Sequence, residues 1–381
     1  MAPGRRPSSL WVMTRLLDVH GVDRLVDALA ERGYTVIGPQ VRNGAVVYDE
    51  LESAAALPTG WTDLQDGGTY RLERREDDAL FGYAVGPTSW KSYLFPPRVG
   101  LWQARTDGDA LVVEEEPLAS GPFAFVGVRP CELAAIAIQD RVFLGGRYAD
   151  RDYAARRENA FLVAVNCHEP GGTCFCVSMD TGPTVRTGYD LVLTELLEGG
   201  HRFLVEAGSE RGEEILVELG GSEASEADLR AAADQAAEAT RKMGRQLDTD
   251  GIRDLLRDNL EHPRWDEVAE RCLTCGNCTL ACPTCFCSAV EDANDLSGEA
   301  ARTRVWDSCF SVDYSYIHGG AVRQTPRARY RQWLTHKLGT WHDQFGSSGC
   351  VGCGRCITWC PVAIDITEEV AAIRAAPEEE S

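Results

Sequence analysis

The sequence predicts an α/β or α+β domain at the N-terminus, followed by a smaller, mainly helical domain. Three observations predict this. From about residue 10 to 245, short β-branched runs such as VIGPQV, FAFVGV and FLVAV alternate with helical stretches such as VDRLVDALAER and CELAAIAIQDRVF, the pattern of mixed α/β architecture. After about residue 250 the strand signal ends, and helical pieces (IRDLLRDNL, RWDEVAERC, RARYRQWLTHKL, TEEVAAIRAA) alternate with cysteine clusters. Between the two regions lies SEADLRAAADQAAEATRKM, an Ala-, Glu- and Arg-rich helix that suits a domain edge. The expected organisation is therefore a disordered tail at 1–9, an α/β domain at 10–245, a helical domain at 246–375 and an acidic tail, APEEES, at 376–381. The last helix is expected to start at Thr367 as N-cap, with Glu368 and Glu369 in the first turn where the helix dipole favours them.

Composition narrows the function. A chain of 381 residues with 44 % apolar and 25 % charged residues is an ordinary globular protein. No apolar run approaches a membrane span. The N-terminal stretch MAPGRRPSSLWVMTRLLDVH is interrupted by Thr14, Arg15 and Asp18, a poor secretory signal, so cytoplasmic residence is expected. Fifteen cysteines, an odd number, in a reducing compartment do not form a disulfide framework; thiolates at short spacings then mean metal. The net charge of −21 repels both nucleic acid and anionic membrane, and neither is an expected partner.

The strongest signal is a repeat. Cys272, Cys275, Cys278 and Cys282, followed by Pro283, have the spacing C-x2-C-x2-C-x3-C-P. Cys350, Cys353, Cys356 and Cys360, followed by Pro361, repeat it. Three thiolates two residues apart wrap one face of an iron–sulfur cubane, and the fourth reaches the neighbouring cubane in two-cluster ferredoxins. The expected sets are Cys272, Cys275, Cys278 and Cys360 for one [4Fe–4S] cluster and Cys350, Cys353, Cys356 and Cys282 for the other. The alternative is that each motif fills its own cube. Structural zinc needs only two C-x2-C pairs and has no use for a third cysteine, twice over. Gly276, Gly352 and Gly354 let the backbone turn its N–H groups toward sulfur. The helical region is thus a dicluster ferredoxin-like domain. Residues 314–342 lack Asp and Glu but hold Arg323, Arg327, Arg329, Arg331 and Lys337, either a solvated basic face or a set of charges that tunes or docks a cluster.

A second constellation lies upstream. Cys131 follows the strand FAFVGV and the turn at Pro130, at the start of a helix whose dipole favours a thiolate. Cys167 follows the strand FLVAV, and a Gly-Gly turn returns Cys174 and Cys176. If one crossover joins the two strands, they run parallel and all four cysteines meet at one carboxyl edge. They are a candidate third [4Fe–4S] site, against four buried unreactive cysteines or zinc. Cys285, Cys287 and Cys309 remain, one short of a cubane unless Asp307 or an outside group completes it. Otherwise they sit beside the first cluster as weak S–H donors. His168 and His318 read as surface or supporting residues rather than ligands. No dinucleotide fingerprint, P-loop or nucleophile–base pair is visible. A chain with several one-electron centres and no substrate site is an electron conduit rather than an enzyme by itself.

With these motifs in hand, the chain resembles the iron–sulfur β subunit of soluble NADP-linked [NiFe] hydrogenases (sulfhydrogenases). It is also similar to the iron–sulfur component of anaerobic sulfite reductase, which belongs to the same family. The matching stretches are GVRPCELAAI (127–136), the cysteines at 167–176, EHPRWDEVAERCLTCGNCTLACPTC (261–285), WDSC (306–309) and GCVGCGRCITWCPVAIDI (349–366). The resemblance implies electron transfer between a flavin subunit that handles NAD(P)H and a catalytic partner. That partner is the [NiFe] hydrogenase small subunit in one branch and the sirohaem subunit in the other; the C-terminal block favours the hydrogenase branch. A non-catalytic iron–sulfur sensor or assembly protein is the rival from a different class.

Overall fold

The computed structural model describes residues 13–108, 110–118, 121–295 and 298–375. The tails expected at 1–9 and 376–381 lie outside them. The N-terminal region is mixed α/β, as its alternating pattern implies. A seven-stranded sheet runs in the order Thr14–Asp18, Arg202–Ala207, Leu191–Leu196, Phe161–Val165, Phe123–Val128, Thr35–Arg42, Ala45–Glu50. The four strands from Leu191–Leu196 to Thr35–Arg42 are mutually parallel, and antiparallel strands flank them on both sides. Phe161–Val165 is buried at every position, as a parallel strand covered on both faces must be. Its period of two sorts the side chains: Phe161, Val163 and Val165 join the core under helices His20–Glu31 and Glu210–Leu219. Leu162 and Ala164 join the opposite core under Pro130–Phe143 and Arg151–Glu158.

The C-terminal region is not mainly helical throughout. Ser288–Asn294 and Ala300–Trp306 form a hairpin that continues an antiparallel sheet with Arg98–Asp107 and Ala110–Glu115 from the N-terminal region. The expectation of no strands after residue 250 is corrected here. SAVEDAN is largely exposed, so no apolar alternation marks it. Its order comes from the backbone ladder and polar cross-strand pairs such as Arg302–Asp292 at 2.6 Å.

The remaining C-terminal helices, including Ile252–Asp258, Arg264–Arg271, Pro326–Thr335 and Ile366–Arg374, gather around Trp265, Tyr330, Trp333, Leu334 and Val370. Pro326–Thr335 passes directly into a π-helical stretch, His336–Thr340, which contains Lys337. The last helix is capped by Asp365, not Thr367: the Thr367 N–H donates to the Asp365 carboxylate at 2.9 Å. Glu369, in its first turn, is fully buried and bound by Arg264 at 2.5 Å and Arg271 at 2.7 Å.

One buried ion pair ties the two regions. Arg355, between Cys353 and Cys356, donates to Glu132, beside Cys131, at 2.6 Å, both side chains at most 1 % exposed. Glu132 also accepts from Tyr48 Oη at 2.7 Å and Trp90 Nε1 at 3.0 Å.

Candidate metal centres

Cys272, Cys275, Cys278 and Cys360 line one cavity, closed by Phe310, Tyr330, Trp333, Val362 and Ile364. Among the described residues no carboxylate lines it. The chemistry of this donor set is four thiols in an apolar shell, the surroundings of an iron–sulfur core and not of an oxygen-seeking cation. Cys356 reaches the same cavity, so the two repeats share a wall. Cys275 is exposed while the other three are partly buried, and the cavity meets the surface there. Main-chain N–H groups point at sulfur: Thr274 toward Cys272 at 3.4 Å, Ile364 toward Cys360 at 3.3 Å and Gly352 toward Cys350 at 3.4 Å.

Cys350, Cys353, Cys356 and Cys282 form a second group of mutual neighbours. Lys337 lies against it. Its Nζ donates to Cys282 Sγ at 3.2 Å, to Thr284 Oγ1 at 3.1 Å and to the Gly349 carbonyl at 3.2 Å, and the side chain is 2 % exposed. Burial opposes the charge on Lys337, but Cys282, Cys285 and Cys350 outweigh it and hold its pKa well above the ordinary value. Burial, relieved only in part by Lys337, pushes the Cys350 thiol up to about 12. A thiol with that pKa stays protonated at neutral pH unless a metal replaces the proton.

The upstream cysteines meet as the parallel strands require. Strand Phe123–Val128 pairs in parallel with Phe161–Val165, and Pro130 and Cys131 open the helix Pro130–Phe143. Cys131 and Cys176 share an apolar cluster with Cys353. Cys174 neighbours Cys176 and Cys167, and its Sγ lies 3.9 Å from the Cys353 carbonyl. Burial, then the proximity of Cys167 and Cys353, pushes Cys176 up to about 12. This third group therefore adjoins the second.

The glycines serve that contact more than the sulfur. Gly352 and Gly354 have φ of +66° and +74°, and a Cβ would fall 2.6 Å from the Cys176 N and 2.4 Å from Thr173 Oγ1. The loop 173–176 lies on the loop 350–354, with the Phe175 N–H donating to the Gly352 carbonyl at 2.8 Å.

The basic segment divides. Arg327 and Arg331 reach Glu261 on the surface, both at 2.9 Å. Arg329 is buried on the Phe310 and Arg323 carbonyls. Only Lys337 contacts a cysteine of the repeats through its side chain. His318 is exposed, whereas His168 is buried at 6 % exposure rather than lying on the surface. Sequence reasoning missed Lys91, 3 % exposed and hydrogen-bonded to the Cys285 carbonyl at 3.2 Å. The signal was there in principle, because Lys91, Lys242 and Lys337 are the only lysines in the chain. Among the described residues no three His, Cys, Asp or Glu side chains close on a single point as a one-ion site does. No described helix is long and apolar enough to cross a membrane.

A family model described as a 4Fe-4S dicluster domain matches residues 271–364. Sulfhydrogenase 2 subunit beta of Pyrococcus furiosus is 32 % identical over 316 residues, covering 82 % of this chain and 91 % of that protein. With sulfur-lined cavities, a dicluster domain and similarity along most of its length, the chain belongs to the iron–sulfur β-subunit family of sulfhydrogenases.

Proposed function

We propose that this chain is the electron-transfer subunit of a cytoplasmic multi-subunit oxidoreductase, relaying electrons between a flavin subunit that binds NAD(P)H and a [NiFe] hydrogenase module. In this reading Cys272, Cys275, Cys278 and Cys360 hold one [4Fe–4S] cluster, and Cys350, Cys353, Cys356 and Cys282 a second. Cys131, Cys167, Cys174 and Cys176 hold a third. The observation that carries it is contiguity: Cys356 reaches the first cavity and Cys353 packs on the upstream cysteines.

The groups so held supply one-electron acceptance and release. The chain supplies the rest. Apolar walls exclude water, N–H groups and the Lys337 ammonium offset the negative charge of the thiolates, and the exposed edge at Cys275 offers a docking point for a partner.

Anaerobic purification with iron and sulfide analysis tests the reading. About twelve of each per chain are expected, with reducible EPR signals, or about eight if only the repeats fill. Co-purification with a flavoprotein and a [NiFe] subunit supports the relay. A sirohaem partner instead assigns the chain to the sulfite branch, and recovery without either assigns it to a sensor. Stoichiometric zinc without a reducible signal overturns the reading.

A further inference from the structure

Cys285, Cys287 and Cys309 take no part in the three groups above. The structure brings them to one place. Ser288 pairs with Trp306 at the open end of the hairpin 288–306, and the Asp307 N–H donates to the Cys287 carbonyl at 2.8 Å. Cys287 and Cys309 therefore flank the two strands where they leave the sheet, and the two thiols are neighbours. Cys285, two residues earlier, sets its thiol against that of Cys282. Cys309, 8 % exposed, also neighbours Cys278. The trio thus lies against the first group on one side and the second on the other.

Two buried ammonium groups face it. Lys337 finds an anionic partner in Cys282, a cysteine of the second group. Lys91 does not: its Nζ donates to the Cys285 carbonyl at 3.2 Å and the Leu280 carbonyl at 3.4 Å, and lies 3.9 Å above the Trp306 ring. No carboxylate pairs with Lys91 among the described residues. A buried cation needs a counter-charge, and the acidic groups around Lys91 are the thiols of Cys285, Cys282 and Cys287. Thiolates bound to iron supply that charge; neutral thiols do not.

We propose that Cys285, Cys287 and Cys309 hold a further iron–sulfur cluster, with Lys91 as its buried counter-ion. Three thiolates leave one iron of a [4Fe–4S] core to a non-cysteine ligand. Oxygen groups stand beside it in Asp307 and in Tyr314, whose Oη is 3.7 Å from Cys287 Sγ. The proposal rests on the electron-transfer reading and adds a centre between its first two.

The test uses the full chain, purified without air. The triple variant Cys285→Ser, Cys287→Ser, Cys309→Ser is expected to lose about four iron and four sulfide from about sixteen, retaining about twelve. One component of the redox-monitored EPR titration disappears with them. Lys91→Met is expected to keep the iron and move that same component to lower potential, because a positive charge is removed beside it. Equal iron in wild type and triple variant, or loss of one zinc in place of iron, overturns the proposal while leaving the relay intact. A wild-type chain with no iron overturns both. Should the triple variant fail to fold, Lys91→Met decides: a shift in one component supports the site, and unchanged potentials throughout overturn it.

Discussion

Glu132→Ala removes the carboxylate that compensates Arg355. The guanidinium is then left charged in a site where its side chain is 0 % exposed. Truncating one partner of a buried pair costs about 3–5 kcal/mol, most of it the penalty of the stranded charge. Tyr48 Oη and Trp90 Nε1 lose their acceptor as well, and each orphaned donor costs about 1–3 kcal/mol, not additively. The expected loss for Glu132→Ala is therefore at least about 3 kcal/mol, read from the midpoint of anaerobic urea unfolding. Pairing it with Arg355→Met should recover part of that loss, because the second substitution removes the stranded charge. A double-mutant cycle is expected to give a coupling of about 2–3 kcal/mol. A loss below about 1 kcal/mol for Glu132→Ala, or two strictly additive costs, would show that water or local movement relieves the guanidinium and that the pair does not clamp the regions. Iron release to a chelator gives a second readout. Glu132 adjoins Cys131, and Arg355 sits between Cys353 and Cys356, so the variant should release iron faster.

Other predictions follow from single contacts. Gly352→Ala places a Cβ 2.6 Å from the Cys176 N at a φ of +66°; backbone strain alone costs about 1–2 kcal/mol, and faster iron release to a chelator should accompany it. Cys278→Ala and Cys353→Ala are each expected to lose about four iron per chain by metal analysis, and full retention in either would contradict its assignment. Burial pushes the Asp63 carboxyl above its ordinary value of 3.8, so the folded chain keeps that proton to higher pH than the unfolded one. Its contribution to stability is complete below the unfolded value and is lost as pH rises through the folded one. Asp63→Asn should therefore flatten the fall of the urea midpoint above about pH 4, and an unchanged slope would count against the shift.

Local signals carried the parts of the fold that depend on local chemistry. FAFVGV and FLVAV announced buried parallel strands because nearly every position is apolar, and Pro130 announced the helix start at Cys131. The gathering of Cys131, Cys174 and Cys176 followed from strand direction alone. The hairpin 288–306 stayed hidden because its residues are mostly polar and its partner strand, Arg98–Asp107, lies some 190 positions away. Asp365 was overlooked as a cap because Thr367, also a good capping residue, stood nearer the acidic first turn. Lys91 escaped notice because a single lysine after Trp90 resembles any surface lysine, and only burial reveals its role. The contact between loops 173–176 and 350–354 has no sequence signature beyond two glycines, whose need is set by a distant chain segment.

That loop contact also bears on the order in which the protein matures. Thr173 and Phe175 leave the ribosome long before the glycines they rest on, and the strand Arg98–Asp107 waits still longer for its neighbour Ala300–Trp306. Until the last third of the polypeptide has been made, one margin of that sheet is bare and the upstream thiols lack their floor. Insertion of inorganic sulfide and iron into the early cysteines is thus placed after synthesis is complete. A nascent chain halted near residue 245 should emerge metal-free and prone to aggregate.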